Sequence, residues 1–381
     1  MSNNLSIQIL TKDLVYAVNA ASSIIDKKPA KQILSNIKLE AKNSKLYVKA
    51  VSNDMNIHLE IPTQIENEGS TTVNHLTFAE IIRKIPDEYL SLKCIGTSDE
   101  VEVKCANFVS HLATLPAEEF PSLDNYINPE VSFFVTTSAL LRLINHSEFA
   151  ISTEEARYNL NGIYLNSLEP NLLNATALDG HRMSTIYEEL EGIPNFGIII
   201  HKKTISELSK LLKDANNAES KVKISFDSNR ISCELENIQI LAKLVDATYP
   251  DFNNFIPKSS VSVLSIHSKT LMNVVDRVAV INQEKFKAIK LIVKQENIEI
   301  SAYGESRGTA KEIISNNNEI QNFVYDGPPI QIGFNPKYLL DILKNLDNEE
   351  IELQFNNAED PILIKQVSKI HDKYIIMPIK V

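Results

Sequence analysis

Hydrophobic positions along the chain follow two periods, and the alternation between them recurs. The segments LTKDLVYAVNAAS (10–22), TTSALLRLINHS (136–147) and HSKTLMNVVDRVAVI (267–281) space apolar residues at i, i+3 and i+4, which gathers them on one helical stripe. The stripes are Leu14, Ala17, Val18 and Ala21; Leu140, Leu143 and Ile144; and Leu271, Val274, Val275 and Val278. Each predicted helix follows a short β-like run: LSIQI, VSFFV or VSVLSI. A second helix type is predicted at TFAEIIRKI, TISELSKLLKD and PKYLLDILKNL, with Ile81, Leu208 and Leu339 as equivalent positions. From Leu14 to Ile81 is 67 residues; from Leu140 to Leu208 and from Leu271 to Leu339 it is 68.

Between repeats the first helix moves by 126 and 131 residues and the second by 127 and 131. A fixed period of this kind is read before anything else about the fold. Phe120-Pro121 and Tyr249-Pro250 lie 129 residues apart, each followed by polar turn residues, and mark linkers. Three domains are expected, at 1–128, 129–258 and 259–381. Period-two runs fill each repeat, among them KLYVKAV, VEVKC, VKISF, RISCEL, NIEISAY and IELQF, and turn signals such as FDSNR separate several of them. The expected fold is α+β, with two helices per domain packed on mostly antiparallel sheet.

With 381 residues, 43% of them hydrophobic and 23% charged, the chain reads as globular throughout. The start has no signal-peptide pattern and no long apolar run occurs, so a cytoplasmic location is expected. Cys94, Cys105 and Cys233 show no zinc or disulfide spacing; no metal and no cofactor are expected. A net charge of −11 argues against nucleic acid taken alone, since phosphate binding needs cations. Local potential can still oppose the total. Lys12, Arg83, Lys84, Arg142, Lys202, Lys203, Lys210, Lys213, Lys269, Arg277, Lys337 and Lys344 lie on or beside the six helices, diluted by Asp13, Glu80, Glu207 and Asp341. Similar domains that contact one another head to tail can close a ring. A basic lining of such a ring would touch phosphates without reading bases.

No phosphate-binding loop, nucleophile elbow or HExxH motif is present. The one cluster suggestive of chemistry is DGHRM, where Asp179 could orient His181 as the base of a hydrolase, or could merely cap a turn.

RYNLNGIYL (157–165), ALDGHRM (177–183), TYPDFNNFIP (248–257), QEKFKAIKL (283–291) and YIIMPIKV (374–381) resemble, in order, segments of the bacterial DNA polymerase III beta subunits, the DNA sliding clamps. The resemblance spans the whole chain. It implies a non-enzymatic processivity factor: a head-to-tail homodimer of three clamp domains each, forming a ring around double-stranded DNA without sequence preference. It also implies a pocket for short motifs of the replicative polymerase, clamp loader, repair polymerases and mismatch-repair proteins. Matched by motif, that pocket comprises Leu160, Leu178, Gly180, His181, Arg182 and Met183, then Pro250, Asn254 and Phe255, then Pro361, Ile375, Met377, Pro378 and Ile379. His181 and Arg182 would be walls and hydrogen-bond donors. For DNA the resemblance points to Lys28, Arg157, Tyr158 and Lys203, and for the dimer contact to Leu112 against Val280 and Ile281. Asn254 and Lys380 stand where some relatives carry arginine, Leu178 replaces a small polar residue, Leu76 stands where a basic residue can occur, and position 154 is Glu.

Overall fold

The computed structural model describes residues 5–380 except 87, 96–98, 122–126, 216, 282–287, 306 and 317–321. The linker expected after Pro121 and the start of the QEKFKAIKL segment therefore lie outside the described residues. Among those described, six α-helices occur: α1 (Thr11–Ser23), α2 (His75–Ile82), α3 (Thr137–Asn145), α4 (Lys202–Asp214), α5 (Ser268–Ala279) and α6 (Pro336–Leu343). Every apolar residue assigned above to the stripes of α1, α3 and α5 is buried.

The second helix type departs from the expected register. Its first residues, 75, 202 and 336, are offset by 127 and 134. Leu339 is thus the fourth residue of α6, as Phe78 is of α2, and Ile342 rather than Leu339 corresponds to Ile81. Ile81 is only half-buried, whereas Leu208 and Leu339 are buried. Three residues is close to one helical turn, so the apolar stripe alone does not distinguish the two alignments. The start of α6 is set by its cap: Asn335 Oδ1 accepts from Lys337 N at 3.0 Å and Pro336 takes the first position. Asn74 Oδ1 does the same for α2, accepting from Thr77 N at 3.2 Å.

The chain divides into two compact units, residues 1–138 with 206–244, and 139–205 with 245–381. This division cuts the middle repeat, and the reason is strand pairing across the repeats. In the first unit a thirteen-stranded antiparallel sheet passes from the strands of the first repeat into those of the second where Met55–Pro62 pairs with Ile238–Lys243, and it ends at Val131–Thr136. In the second unit a nine-stranded sheet begins at Gly197–His201 and crosses between repeats where Arg182–Glu189 pairs with Lys373–Ile376. A four-stranded sheet completes the second unit, with Gly308–Ser315 at one edge. The FDSNR turn is an Asx turn: Asp227 Oδ1 accepts from Asn229 N and Arg230 N at 2.8 and 2.7 Å. No helix among the described residues is long and apolar enough to cross a membrane.

Candidate functional site

Strands Leu172–Leu178 and Arg182–Glu189 form a hairpin whose turn is Asp179-Gly180-His181. Gly180 has φ +90°, a region open to glycine and strained for other residues. Asp179 closes the turn. Its Oδ1 accepts from His181 N and Arg182 N, both at 2.9 Å, and its Oδ2 from Arg182 Nε at 3.1 Å. The carboxylate is therefore occupied by the turn and does not orient the imidazole. The His181 ring instead stacks on Tyr338, with centroids 5.7 Å apart. The three cysteines are buried, and burial pushes the Cys233 thiol up to about 12. No hydrolase dyad is assembled here.

The hairpin carries an apolar floor. Leu178 lies opposite Met183, Met183 opposite Ile375, and Ile375 opposite Leu363. Strand alternation puts these four on one face. They pack with Leu160, Ile199, Tyr249 and Phe252 in a single buried cluster. Tyr164 stacks flat on Tyr249 at 4.7 Å, and burial raises the Tyr249 hydroxyl pKa. Around this floor stand exposed apolar side chains: Phe255 at 46%, Met377 at 37% and Ile379 at 38%. The chain end is fastened over the turn, because Met377 N donates to His181 O and Ile379 N to Gly333 O, both at 2.8 Å. Pro250, Pro361 and Pro378 are half-buried, while Asn254 is exposed and donates to Asp251 Oδ2 at 3.1 Å. The crevice expected from the sequence therefore has a buried apolar floor and a partly exposed apolar rim, and surfaces of that kind hold the apolar side chains of short peptides.

Arg182 is not a wall of this crevice. It precedes Met183 and so points to the opposite face of the sheet. There its Nη1 donates to Asp341 Oδ2 at 2.5 Å and Nη2 to Phe149 O, and the guanidinium lies over the rings of Tyr338 and Phe149, at 4.6 and 5.3 Å. Only 9% of its side chain is exposed. Tyr249, Tyr164, Leu363, Ile199 and Tyr338 belong to the site and were not singled out from sequence. Tyr164 and Tyr249 lay within the motifs RYNLNGIYL and TYPDFNNFIP. Leu363 sits in the run Ile362–Ile364, apolar on both faces and therefore without a period to assign its side.

Arg157 and Tyr158 lie on the 3-10 segment Glu155–Leu160, with Tyr158 60% exposed. Arg157 is paired with Glu154 at 3.1 Å. Lys203 is the second residue of α4, and Lys28 is exposed in the first unit. Arg142, counted above among basic helix residues, is spent on an ion-pair network: its Nη1 donates to Asp372 Oδ2 at 2.6 Å and its Nε to Glu188 Oε1. Next to it, His146 Nδ1 lies 2.8 Å from Tyr374 Oη, and burial first, then Arg142, lowers the imidazole pKa. Leu112 is half-buried on strand Phe108–Leu115, Val280 is 59% exposed after α5, and Ile281 is half-buried.

Family models for the N-terminal, central and C-terminal domains of the DNA polymerase III beta subunit match residues 5–124, 134–251 and 253–380. The beta sliding clamp of Rickettsia bellii is 40% identical over 99% of this chain and 100% of its own length. That of Caulobacter vibrioides is 32% identical over 97% and 98%. Among solved structures, a sliding clamp from Bartonella birtlesii bound to griselimycin superposes with a TM-score of 0.92 at 28% identity, covering 99% of this chain and 100% of that one.

Proposed function

Because the chain belongs to the family of bacterial DNA polymerase III beta subunits, the DNA sliding clamps, we propose that two copies close head to tail into a ring on duplex DNA and that the crevice holds short motifs of the proteins the ring tethers. It is a clamp and not an enzyme. The three clamp domains are assigned to 1–128, 129–258 and 259–381, and the protein to the cytoplasm.

The observation that carries the tethering role is the crevice itself. Its floor is built from the central and C-terminal domains, and its rim leaves Phe255, Met377 and Ile379 partly exposed. Groove-bound peptides are held by few apolar anchors. In line with the Bartonella complex, griselimycin should compete for the same protein.

Two open strand edges support the head-to-tail contact. Among the described residues, Phe108–Ala113 pairs along one side only, since the neighbouring strand Gly69–Asn74 joins at Thr114 and Leu115. Gly308–Ser315 is the last strand of its sheet. Both edges carry exposed apolar residues, Phe108 and Val109 on one and Ile313 on the other. Uncovered apolar edges invite pairing with another chain, and a second copy would cover them.

For DNA, the exposed lysines of the helices supply local positive charge within an acidic chain. Direct binding of the free protein to duplex DNA should be weak, fall steeply with salt and ignore sequence. Lys203→Glu should weaken it roughly threefold to tenfold and reduce the salt slope by about 1. Fluorescence anisotropy on two unrelated duplexes measures both, and a strong preference for one sequence would contradict the reading.

A further inference from the structure

The β-ladder between Arg182–Glu189 and Lys373–Ile376 has two faces, and only one of them is the crevice floor. On the other face, polar groups of the central domain meet polar groups of the C-terminal domain. Asp372 is 1% exposed, and both of its oxygens are used: Oδ2 accepts from Arg142 Nη1 at 2.6 Å and Oδ1 from Tyr187 N at 2.9 Å. Arg142 in turn donates to Glu188 Oε1 and Tyr187 O, so the guanidinium ties α3 to both strands. Two residues on, Tyr374 Oη pairs with His146, just past the end of α3, whose carbonyl accepts from Ser184 Oγ.

We propose that Asp372 is a positioning residue for the crevice: buried under the joint, it touches no bound peptide but holds the C-terminal strand in register on the hairpin, so that the binding surface exists before a peptide arrives. This rests on the peptide-binding reading above. The mechanism is continuous in the chain. Asp372 fixes the start of the strand, the register carries Ile375 onto Met183, and the strand's exit delivers Met377 N to His181 O at 2.8 Å. Rim and floor are thereby set by an ion pair on the far side of the sheet. A crevice held ready avoids the ordering cost of assembling it on binding.

The charge is the sensitive part. With asparagine at 372, Arg142 keeps only Glu188 at the partly exposed edge of the network, whereas neutralising both Arg142 and Asp372 leaves no charge at the buried end and a Glu188 carboxylate that water can reach. Asp372→Asn in the full-length dimer should therefore weaken a fluorescent peptide copied from the replicative polymerase tail at least tenfold. It should also speed hydrogen exchange at the Met377 amide, with the dimer mass unchanged. The double variant Arg142→Gln with Asp372→Asn should restore affinity to within about threefold, which a general loss of stability would not predict. If Asp372→Asn retains wild-type affinity and wild-type protection at Met377, the proposal is wrong. Failure of the double variant to recover either signal overturns it as well. Were the unaltered protein not to bind the peptide at all, the peptide-binding reading would fall, and exchange at Met377 would still decide whether Asp372 holds the joint.

Discussion

Ile281→Asp should convert the protein from a dimer into a monomer. Ile281 follows α5 beside the exposed Val280, and family resemblance sets both against Leu112 of the second copy. In the head-to-tail ring each protomer offers this surface once, so one substitution alters two contacts. An unpaired carboxylate enclosed in an apolar contact costs roughly 3–5 kcal/mol. Counted at both contacts, the dimer dissociation constant should rise by about four orders of magnitude or more. The fold should survive, because Val280 and Ile281 lie at the surface of a unit whose α5 core is Leu271, Val274, Val275 and Val278. Sedimentation velocity at low concentration, with circular dichroism as a fold control, reads the outcome. A variant that stays dimeric there would show that the contact lies elsewhere.

Removal of Met377–Val381 should sharply weaken peptide binding while leaving the dimer intact. The deletion takes away Met377 and Ile379 from the rim and the hydrogen bond that fastens the chain end to His181. It leaves the floor residues Leu178, Met183, Leu363 and Ile375 in place. Loss of two anchors costs about 2–4 kcal/mol, a thirtyfold to thousandfold fall in affinity. Isothermal titration with the polymerase-tail peptide measures it. His181→Ala should give a smaller loss by removing the side chain that stacks on Tyr338. Unchanged affinity in the truncated protein would contradict the placement of the crevice.

The helices and strands were legible in the sequence because burial there is one-sided. A stripe such as Leu14, Ala17, Val18 and Ala21 has a period, and a period names a structure. The Asp179-Gly180 turn was legible for a related reason, since both residues favour turns through specific backbone chemistry. The partners across repeats were not legible. Nothing local in Met55–Pro62 selects Ile238–Lys243 as its neighbour, because edge pairing is decided by which strands the fold brings side by side. Arg182 was placed among the walls through the resemblance of its motif, and its strand offers no pattern against which to check that placement. Met183, Ser184, Thr185 and Ile186 are all buried, so the strand shows no alternation from which its two sides could be told apart. Arg142 read as one cation of a basic helix lining because its partner Asp372 is 230 residues away.

The proposed ring holds DNA by topology rather than by affinity. The decisive measurement is retention on DNA after loading by the clamp loader with ATP, using a nicked circular plasmid and the same plasmid cut once. In gel filtration at a salt concentration that abolishes direct binding, the clamp should co-elute with the circle and be released when the circle is linearised. Equal retention on circular and linear DNA, or none on either, would contradict it.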